Sequence, residues 1–448
     1  MNDLTAVIES GMCIGCGVCE LTPEPVSLVL DKNTLTFTPS APSGPDTAAV
    51  CPAIRVDYQR LHEYVFPEAE VGPFGVVRSV HLTQSTTYDR NVKASSGGII
   101  KEILRLLIET GEVDGVIALD HVDGIEFAAR LVTESDDIDS LPGSIYHNLA
   151  QTSALRILQE TAGRFALVAI PCQLEGLYSY VEKFRPDLKE RIVFTIGLLC
   201  GWQYSHHSIE AMGEYLGYSV SDIADVSYRG GGPVGKFSVT TRDGNTFSAS
   251  RRVDFSYQVA FDRHFNTPRC HLCVNHGNFL ADLAVGDAWL PSTVFTKTGV
   301  SLVICRTSDA ERLHSKLVEM SRCVSIAVTE DEIRESQTSR VVFGEFAYAY
   351  AEFRKDAGLH TPALHGPNEN EGSRRPRREV ARFHRELVRK QRLMARRKYR
   401  VLRWRKATLE LPRFVKRYVR WFLVRVVRIK SISGARNEIP RSRFENFR

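Results

Sequence analysis

The sequence lacks several features, and each absence excludes a class of protein. No apolar run approaches the roughly 18–20 residues that a membrane-spanning helix needs. The first eleven residues contain no basic segment followed by an apolar one, so we expect no secretory signal and a cytoplasmic protein. Extremes of composition are absent too. Apolar residues make up 43% and charged residues 25% of the 448 positions, which is typical of a globular chain and excludes a disordered or fibrous one.

Aspartate is absent from the last part of the chain, residues 374–448, where 27 of the 58 Lys and Arg residues stand beside only five Glu. The rest of the chain, residues 1–373, therefore has more acidic than basic residues and a negative net charge. Within this tail, Arg413 to Lys430 would place apolar side chains on one face of a helix and basic side chains on the other. We predict a basic amphipathic helical tail over 374–448 that binds an anionic membrane surface, such as the inner face of the plasma membrane.

Two other partners would also suit the charge of the tail. Docking on an acidic protein, or back on the acidic body of the same chain, is the second interpretation. Nucleic-acid binding is not favoured, because no recognisable nucleic-acid module accompanies the charge.

Eight of the ten cysteines fall into two groups. The first cysteine set consists of Cys13, Cys16, Cys19 and Cys51. Three cysteines within seven residues, followed by a remote Cys-Pro, are typical of the bacterial ferredoxin motif that binds a 4Fe–4S cluster. Zinc is the competing interpretation, but zinc sites usually use two separated pairs of cysteines. The sequence therefore predicts a ferredoxin-like 4Fe–4S module over residues 1–70.

The second cysteine set consists of Cys172, Cys200, Cys270 and Cys273. Apolar segments that resemble buried strands end just before Cys172 and Cys200, and ligands gather at the carboxyl ends of parallel strands. The four thiols could meet and hold a second 4Fe–4S cluster. The alternative is that Cys172 and Cys200 are ordinary buried thiols. The remaining two, Cys305 and Cys323, are expected in the core.

The chain beyond the module alternates strand-like and helix-like segments, which predicts an α/β fold. We expect an α/β unit over 75–160, a second over 163–355, and a Gly-, Pro- and Asn-rich linker over 356–373, before the basic tail.

A candidate phosphate site lies where a helix is predicted to begin, at Ser95-Ser96-Gly97-Gly98. Free backbone N–H groups at a helix N-terminus suit a phosphate, although a serine cap with a glycine turn is an equal alternative. The run is neither a dinucleotide fingerprint nor a P-loop. Arg229, beside three glycines, could hold an anion, but a hairpin turn is the favoured interpretation there.

Together these motifs resemble the beta subunit of the coenzyme F(420)-reducing hydrogenases and dehydrogenases. The resemblance covers about residues 10–345 and rests on CxxCxxC…CP, SSGGI from Ser95, GSIY from Gly143, PCQLEGL from Pro171, LLCG from Leu198, RGGG from Arg229, and Cys270 to Trp289. Members of that family are iron–sulfur flavoproteins. The resemblance therefore implies FAD, 4Fe–4S clusters and a flavin-binding α/β body.

The resemblance also implies residues that contact the flavin. They are Ser95, Ser96, Gly97 and Gly98, with Ser144, Tyr146, Arg229 and Asp287 as further candidates. It implies an oxidoreductase that passes electrons between the clusters, FAD and a two-electron acceptor, with coenzyme F(420) or a polysaccharide-pathway intermediate as candidates. The alternative is a non-catalytic electron-transfer subunit that feeds a separate catalytic partner.

The expected redox donor is ferredoxin or reduced F(420). In this scheme the N-terminal cluster takes electrons at the surface, and the second cluster lies between it and FAD. No catalytic acid can be assigned from the sequence.

Overall fold

The computed structural model describes residues 4–67, 69–87, 94–230, 235–293, 298–366 and 375–408. The N-terminal module is built from short elements: α1 (Thr5–Ser10), β1 (Leu28–Leu30), β2 (Phe37–Pro39), α2 (Pro45–Val50), β3 (Arg55–Asp57) and α3 (Tyr58–Val65). Strands β1 and β2 form an antiparallel pair. Cys19 lies in a 3-10 turn (Val18–Glu20), and Cys51 directly follows α2.

The first half of the body contains β4 (Ser79–Ser85), α4 (Ile99–Glu109), β5 (Gly115–Asp123), β6 (Glu126–Val132), α5 (Thr152–Glu160), β7 (Phe165–Ala169), α6 (Pro171–Phe184), β8 (Ile192–Leu198) and α7 (His207–Leu216). The second half contains β9 (Ile223–Ser227), β10 (Lys236–Thr241), β11 (Thr246–Ser250), α8 (Phe255–Ala260), β12 (Leu283–Asp287), β13 (Ser301–Cys305), α9 (Ser308–Glu319), β14 (Cys323–Val328), α10 (Glu330–Ser336) and α11 (Thr338–Asp356). Strand β15 (Ala363–His365) and helix α12 (Arg377–Ala395) follow.

An eight-stranded mixed sheet in the order β14-β4-β13-β12-β8-β7-β5-β6 forms the centre of the body. Its four central strands, β12, β8, β7 and β5, are parallel. The α/β prediction is confirmed. Both predicted α/β units contribute strands to this one sheet, and β4 of the first unit lies between β13 and β14 of the second. Strands β9 to β11 form a separate antiparallel sheet.

Helices cover both faces of the large sheet, as expected where strands are apolar on both sides. Helices α4 and α9 pack on one face through residues such as Ile103 and Leu313. Helix α6 packs on the other face through Leu174 and Leu177, and the first cysteine loop joins that core through Ile14. The N-terminal module is thus seated on the α6 face of the sheet. Cys305 and Cys323 are buried in the core, as predicted.

The segment predicted as a linker contributes a strand. Within it, β15 pairs in parallel with β3 of the N-terminal module, and Leu364 is buried. Composition alone indicated a linker because Gly, Pro and Asn dominate the flanks of this short strand. Over its described residues the segment is therefore tied to the module.

The first part of the basic tail is helical and packs on the body. Helix α12 buries residues seven apart, Val380, Leu387 and Met394, and residues 399–408 form a further helix. Basic residues of this second helix and of the turn before it meet acidic residues of the body, with Arg397 at 3.1 Å from Glu210, Arg400 at 2.9 Å from Glu214 and Lys406 at 2.9 Å from Asp262. The amphipathic segment predicted from Arg413 to Lys430 lies outside the described residues. Of the helices in the described ranges, none has the length and apolar content that crossing a bilayer requires.

Candidate functional site

Three cysteines of the first set, Cys13, Cys16 and Cys19, lie on a loop whose backbone conformation requires glycine at two positions. Gly15 and Gly17 have φ angles of +71° and +83°, in the left-handed region that other residues rarely adopt. A Cβ on Gly15 would lie 2.2 Å from the carbonyl oxygen of Leu149. The backbone N–H of Gly15 donates to the Sγ of Cys13 at 3.4 Å. The loop therefore turns tightly around its own thiols.

The four thiols of this set lie close enough for every pair to interact electrostatically. Burial raises the pKa of each thiol, and the neighbouring sulfurs raise it further for Cys13, Cys16 and Cys19. Burial raises the pKa of Cys51 to about 11, although the N–H groups of Ala53 and Ile54 and the charge of Arg269 act in the opposite direction. A bound metal would supply the positive charge that burial withholds from these thiolates.

The structure also brings together the second cysteine set, which comes from three distant segments. Cys172 lies in the first turn of α6 directly after β7, and Cys200 lies just after β8. Cys172 interacts electrostatically with Cys200, Cys270 and Cys273, and all four are partly buried. The backbone N–H of Gln203 donates to the Sγ of Cys270 at 3.3 Å.

The donor chemistry of both sets fits an iron–sulfur cluster. Among the described residues, no group of three or more His, Cys, Asp or Glu side chains is arranged to hold a single metal ion. The buried Nη2 of Arg269, beside the second set, has no hydrogen-bond acceptor within the described part of the chain. A cluster sulfur would provide one.

The two cysteine sets are neighbours through helix α6. Gly176 follows Cys172 by one helical turn, which corresponds to a rise of about 6 Å. A Cβ on Gly176 would lie 3.2 Å from the Sγ of Cys16. Cys172 of the second set and Gly176, which packs against Cys16 of the first set, are therefore one turn of α6 apart.

Residues Ser95 to Gly98 directly precede helix α4, where the sequence predicted a helix to begin. Gly98 has a φ of +78° and precedes the first helical residue, Ile99. Ser95 Oγ accepts a hydrogen bond from the backbone N–H of Ser144 at 3.0 Å, so two predicted flavin residues meet. The N–H of Gly97 donates to Ser301 Oγ at 2.9 Å, and a Cβ there would lie 2.5 Å from the carbonyl oxygen of Thr83. Close packing on β4 thus explains the glycine at position 97.

Arg229 and Asp287 form an ion pair at the carboxyl end of β12. The Nη1 of Arg229 lies 2.7 Å from Asp287 Oδ2, and the Arg229 side chain is 4% exposed. The sequence favoured a simple hairpin turn at Arg229. The structure adds an ion pair, because the guanidinium is buried against the carboxylate of Asp287 at the end of β12. The glycines at 231 and 232 lie outside the described residues.

Arg251 is a residue of this region that the sequence did not point to. Its guanidinium lies 5.5 Å from the ring of Tyr146, and its Nε donates to the hydroxyl of Tyr257 at 2.9 Å. Burial alone would lower the pKa of Arg251, but Tyr146 and Tyr257 raise it above its usual range. No local motif marks this arginine. It reaches the site only because β11 ends beside the loop that carries Tyr146.

One loop, residues 143–152, contacts the start of α4 and the first cysteine loop directly and reaches the second cysteine set through Gln203. Ser144 meets Ser95, and Gln151 N–H donates to the carbonyl of Gly15 at 2.9 Å. Between them, the Nδ2 of Asn148 donates to the carbonyl of Ile14 at 3.1 Å and to Gln203 Oε1 at 2.8 Å. The loop therefore joins the start of α4 to both cysteine sets.

Comparison with known protein families shows which family the chain belongs to. Two family models describe the N-terminal and C-terminal parts of the coenzyme F420 hydrogenase/dehydrogenase beta subunit, and they match residues 80–156 and residues 162–331, respectively. Together the two matches cover more than half of the chain. The chain belongs to this family. The second cysteine set and all the candidate flavin residues lie inside the matched ranges, whereas the first cysteine set and the tail lie outside them.

Relatives within the beta-subunit family come from methanogenic archaea. The chain is 25% identical over 318 residues to the F subunit of F(420)H(2) dehydrogenase from Methanosarcina mazei, covering 66% of this chain and 82% of the relative. It is 25% identical over 254 residues to the beta subunit of coenzyme F420 hydrogenase from Methanococcus voltae, covering 55% and 83%. It is 22% identical over 353 residues to the coenzyme F420-dependent sulfite reductase of Methanocaldococcus jannaschii, covering 75% and 50%.

A solved structure shares the fold. It is a chain of the F420-reducing [NiFe] hydrogenase complex from Methanosarcina barkeri, with a TM-score of 0.50 and 21% identity. The superposition covers 66% of this chain and 98% of that chain. The expected family membership is confirmed, and the likeness extends to the architecture of the body.

Proposed function

We propose that this protein is an iron–sulfur flavoprotein subunit that exchanges electrons with coenzyme F(420) or a similar two-electron carrier. The observation that carries the proposal is the placement of two four-cysteine sets one turn of α6 apart. The loop 143–152 connects both sets to the start of α4. Relatives named for F(420)-linked hydrogenases, a dehydrogenase and a sulfite reductase support the choice of carrier.

In this proposal the first cysteine set holds one 4Fe–4S cluster and the second cysteine set holds another. FAD binds at the start of α4, with Ser95, Ser96, Gly97 and Gly98 on one side and Ser144, Tyr146, Arg229, Asp287 and Arg251 on the other. When bound, these groups would supply the exchange between single electrons and electron pairs.

The chain's own residues give this site its electrostatic character. N–H groups of Gly15 and Gln203 donate to cysteine sulfurs and stabilise their negative charge. Arg251 remains charged beside Tyr146 and supplies a positive group for an anionic phosphate. The Arg229–Asp287 pair joins Arg229, two residues after β9, to the end of β12.

The flavin part of the proposal is tested by flavin content. Arg251→Met removes the half-buried cation, and Arg252→Met changes the exposed arginine next to it as a matched control. We expect R251M to weaken FAD binding about tenfold or more, because a hydrogen bond to a charged group contributes about 1.5–3 kcal/mol. Equal flavin affinity in R251M, R252M and the unchanged protein would remove Arg251 from the site.

The choice of carrier is tested by flavin bleaching. The anaerobically purified chain is mixed with reduced F(420), reduced ferredoxin or NADPH, and flavin absorbance is followed. Bleaching by reduced F(420) alone supports the proposal. Bleaching by only one of the other two donors would assign a different carrier.

A second function is an electron-transfer subunit without its own substrate, serving a catalytic partner. The relatives named as subunits favour this possibility. Turnover of a small-molecule acceptor by the isolated chain would contradict it, whereas turnover that needs an added partner would support it.

We also propose that the tail beyond Thr408 attaches the protein to an anionic membrane surface. The sequence from Arg413 to Lys430 supports this through its opposed basic and apolar faces. Truncation after Thr408 keeps the part of the tail that packs on the body and removes the amphipathic segment. We expect the intact chain, but not the truncated chain, to sediment with vesicles containing anionic lipid, and salt to weaken the binding. Absence of binding by the intact chain would refute it.

A further inference from the structure

A buried ion pair, Arg269 with Glu175, lies between the two cysteine sets. Glu175 follows Cys172 by three residues on α6, and Arg269 directly precedes Cys270. The Nη2 of Arg269 lies 4.0 Å from Glu175 Oε2, and the two side chains are 3% and 1% exposed. Removing two charges from water costs free energy that their attraction for each other does not always offset. A buried ion pair is therefore weak evidence for a role in stability. Its position suggests a role in electron transfer.

Arg269 contacts the surroundings of both sets. Its Nε donates to the carbonyl of Pro52 at 3.3 Å, next to Cys51, and its Nη1 donates to the carbonyl of Leu272 at 3.0 Å, next to Cys273. It interacts electrostatically with Cys51 of the first set and with Cys172 and Cys273 of the second. One positive charge therefore acts on both groups of sulfurs.

Glu175 is directed toward the second set by two fixed donors. The hydroxyl of Tyr58 and the Nδ2 of Asn275 donate to Glu175 Oε1 at 2.7 and 3.0 Å, which leaves Oε2 to face Arg269. The carboxylate interacts electrostatically with Cys172 and Cys273. A negative charge thus acts on the second set from within the same buried network.

We propose that Arg269 and Glu175 are positioning residues that set the reduction potentials of the two clusters, with Arg269 acting on both and Glu175 on the second. The positive charge of Arg269 favours the reduced state of both clusters, and the negative charge of Glu175 opposes reduction of the second cluster. The effect is large because charges in a buried, low-dielectric region interact strongly. This inference rests on the proposed function, since it requires both cysteine sets to hold clusters.

The test is a redox titration of the anaerobically purified full chain, followed by electron paramagnetic resonance. Arg269→Met removes the positive charge, Arg269→Lys keeps it, and Glu175→Gln removes the negative charge with nearly the same shape. Glu102→Gln is the matched control. It changes a fully buried carboxylate on α4 that accepts a hydrogen bond from Ser85, outside both cysteine sets.

We expect R269M to make both clusters harder to reduce and E175Q to make the second cluster easier to reduce. Each change should alter the one-electron equilibrium about tenfold, which is ~59 mV. R269K should stay close to the unchanged protein, and E102Q should leave both cluster potentials unchanged. A purely structural role would not produce shifts of opposite sign.

Shifts of the same sign in R269M and E175Q, or unchanged potentials with full iron content, would overturn the inference. If R269M fails to assemble, E175Q still decides, because only an upward shift of the second potential agrees with the proposal. Iron and sulfide are measured on every sample. Their absence from the unchanged protein would refute the proposed function itself, which distinguishes the two failures.

Discussion

The two cysteine sets are assembled in different ways, and the difference shows what a sequence can reveal. Three members of the first set lie within seven residues, on a loop whose glycines have positive φ angles. The second set is assembled by the fold, from the ends of β7 and β8 and from the turn at Pro268–Leu272. A local loop can be recognised from spacing, whereas a set distributed over about a hundred residues depends on the sheet that brings it together.

The two sets also differ in exposure. The cysteines of the first set are all less than 10% exposed, and those of the second set are half-buried. The sequence-based scheme, in which the N-terminal cluster takes electrons at the surface, stays a prediction, and the thiols of the first set are the more deeply buried. The physical reason is that the module packs its cysteine loop onto α6, against Gly176 and the core around Leu174.

The largest effect that would sharpen this comparison comes from removing one thiol in each set. Cys16→Ser and Cys200→Ser should each reduce iron from about eight to about four atoms per chain, since each cubane holds four. C16S should also lower thermal stability more, because Cys16 is packed in the core. Cys305→Ser is the control, as this cysteine is buried away from both sets. Iron content in C16S or C200S equal to that of C305S would contradict the assignment.

A second test concerns the glycine loop of the first set. Gly15 and Gly111 have φ angles of +71° and +66°, but a Cβ would meet Leu149 at position 15 and nothing within 4 Å at position 111. We expect Gly111→Ala to cost about 1–2 kcal/mol from backbone strain alone. Gly15→Ala should cost roughly 1–3 kcal/mol more from the clash. Chemical denaturation measures both, and equal losses would show that the loop is less tightly packed than described.

A third, smaller effect is expected from changing the contact between helix α12 and the turn that carries Cys270. Phe383 of α12 packs edge-on against His271, which lies between Cys270 and Cys273, with ring centroids 5.5 Å apart. Phe383→Ala should open this contact and speed the loss of iron from both sets in air, because Phe383 also packs against the core that contains Cys13, Cys19 and Cys51. Val401→Ala, at an exposed position of the same tail, is the control. Equal rates in both variants would show that α12 does not protect the cysteines.

The smallest effect concerns how the tail is held on the body. Partial burial would raise the pKa of Glu210, but hydrogen bonds from His207 and Tyr399 and the charge of Arg397 lower it to about 2. A carboxylate with a lowered pKa stabilises the folded state above its unfolded pKa, and this contribution is lost as the pH falls toward 2. Protection of residues 396–408 from hydrogen exchange should therefore stay constant between about pH 7 and about pH 5.

The matched variant for that prediction is Glu210→Gln at neutral pH. It should reduce the protection of the same residues by about 1 kcal/mol, because the pair is partly exposed and screened by solvent. Glu214→Gln, which alters a neighbouring and more peripheral pair with Arg400, should have less effect. A loss of protection in the unchanged protein between pH 7 and pH 5 would contradict the assigned role of Glu210.

Several elements were predictable because their signals are local. The apolar periodicity after Gly98 predicted α4, and the apolar runs before Cys172 and Cys200 predicted β7 and β8. The first cysteine loop was recognisable for the same reason. In each case the residues that determine the structure lie next to each other in the chain.

Other features depend on contacts between distant segments and could not be predicted. Arg251 reaches Tyr146 only through the fold of the antiparallel sheet, and Ala363–His365 becomes a strand only because β3 offers its edge. The pairing of Arg229 with Asp287, and of Arg269 with Glu175, joins residues that carry no motif relating one to the other. Such contacts depend on the complete sheet rather than on local propensity.

The most direct test of the account is the metal content of the chain purified without oxygen. Iron, acid-labile sulfide and zinc are quantified per chain, and Mössbauer spectroscopy identifies the cluster type. We predict about eight iron and eight sulfide per chain, as 4Fe–4S clusters, with no zinc. A colourless preparation, or zinc in place of iron at the first cysteine set, would contradict the central claim.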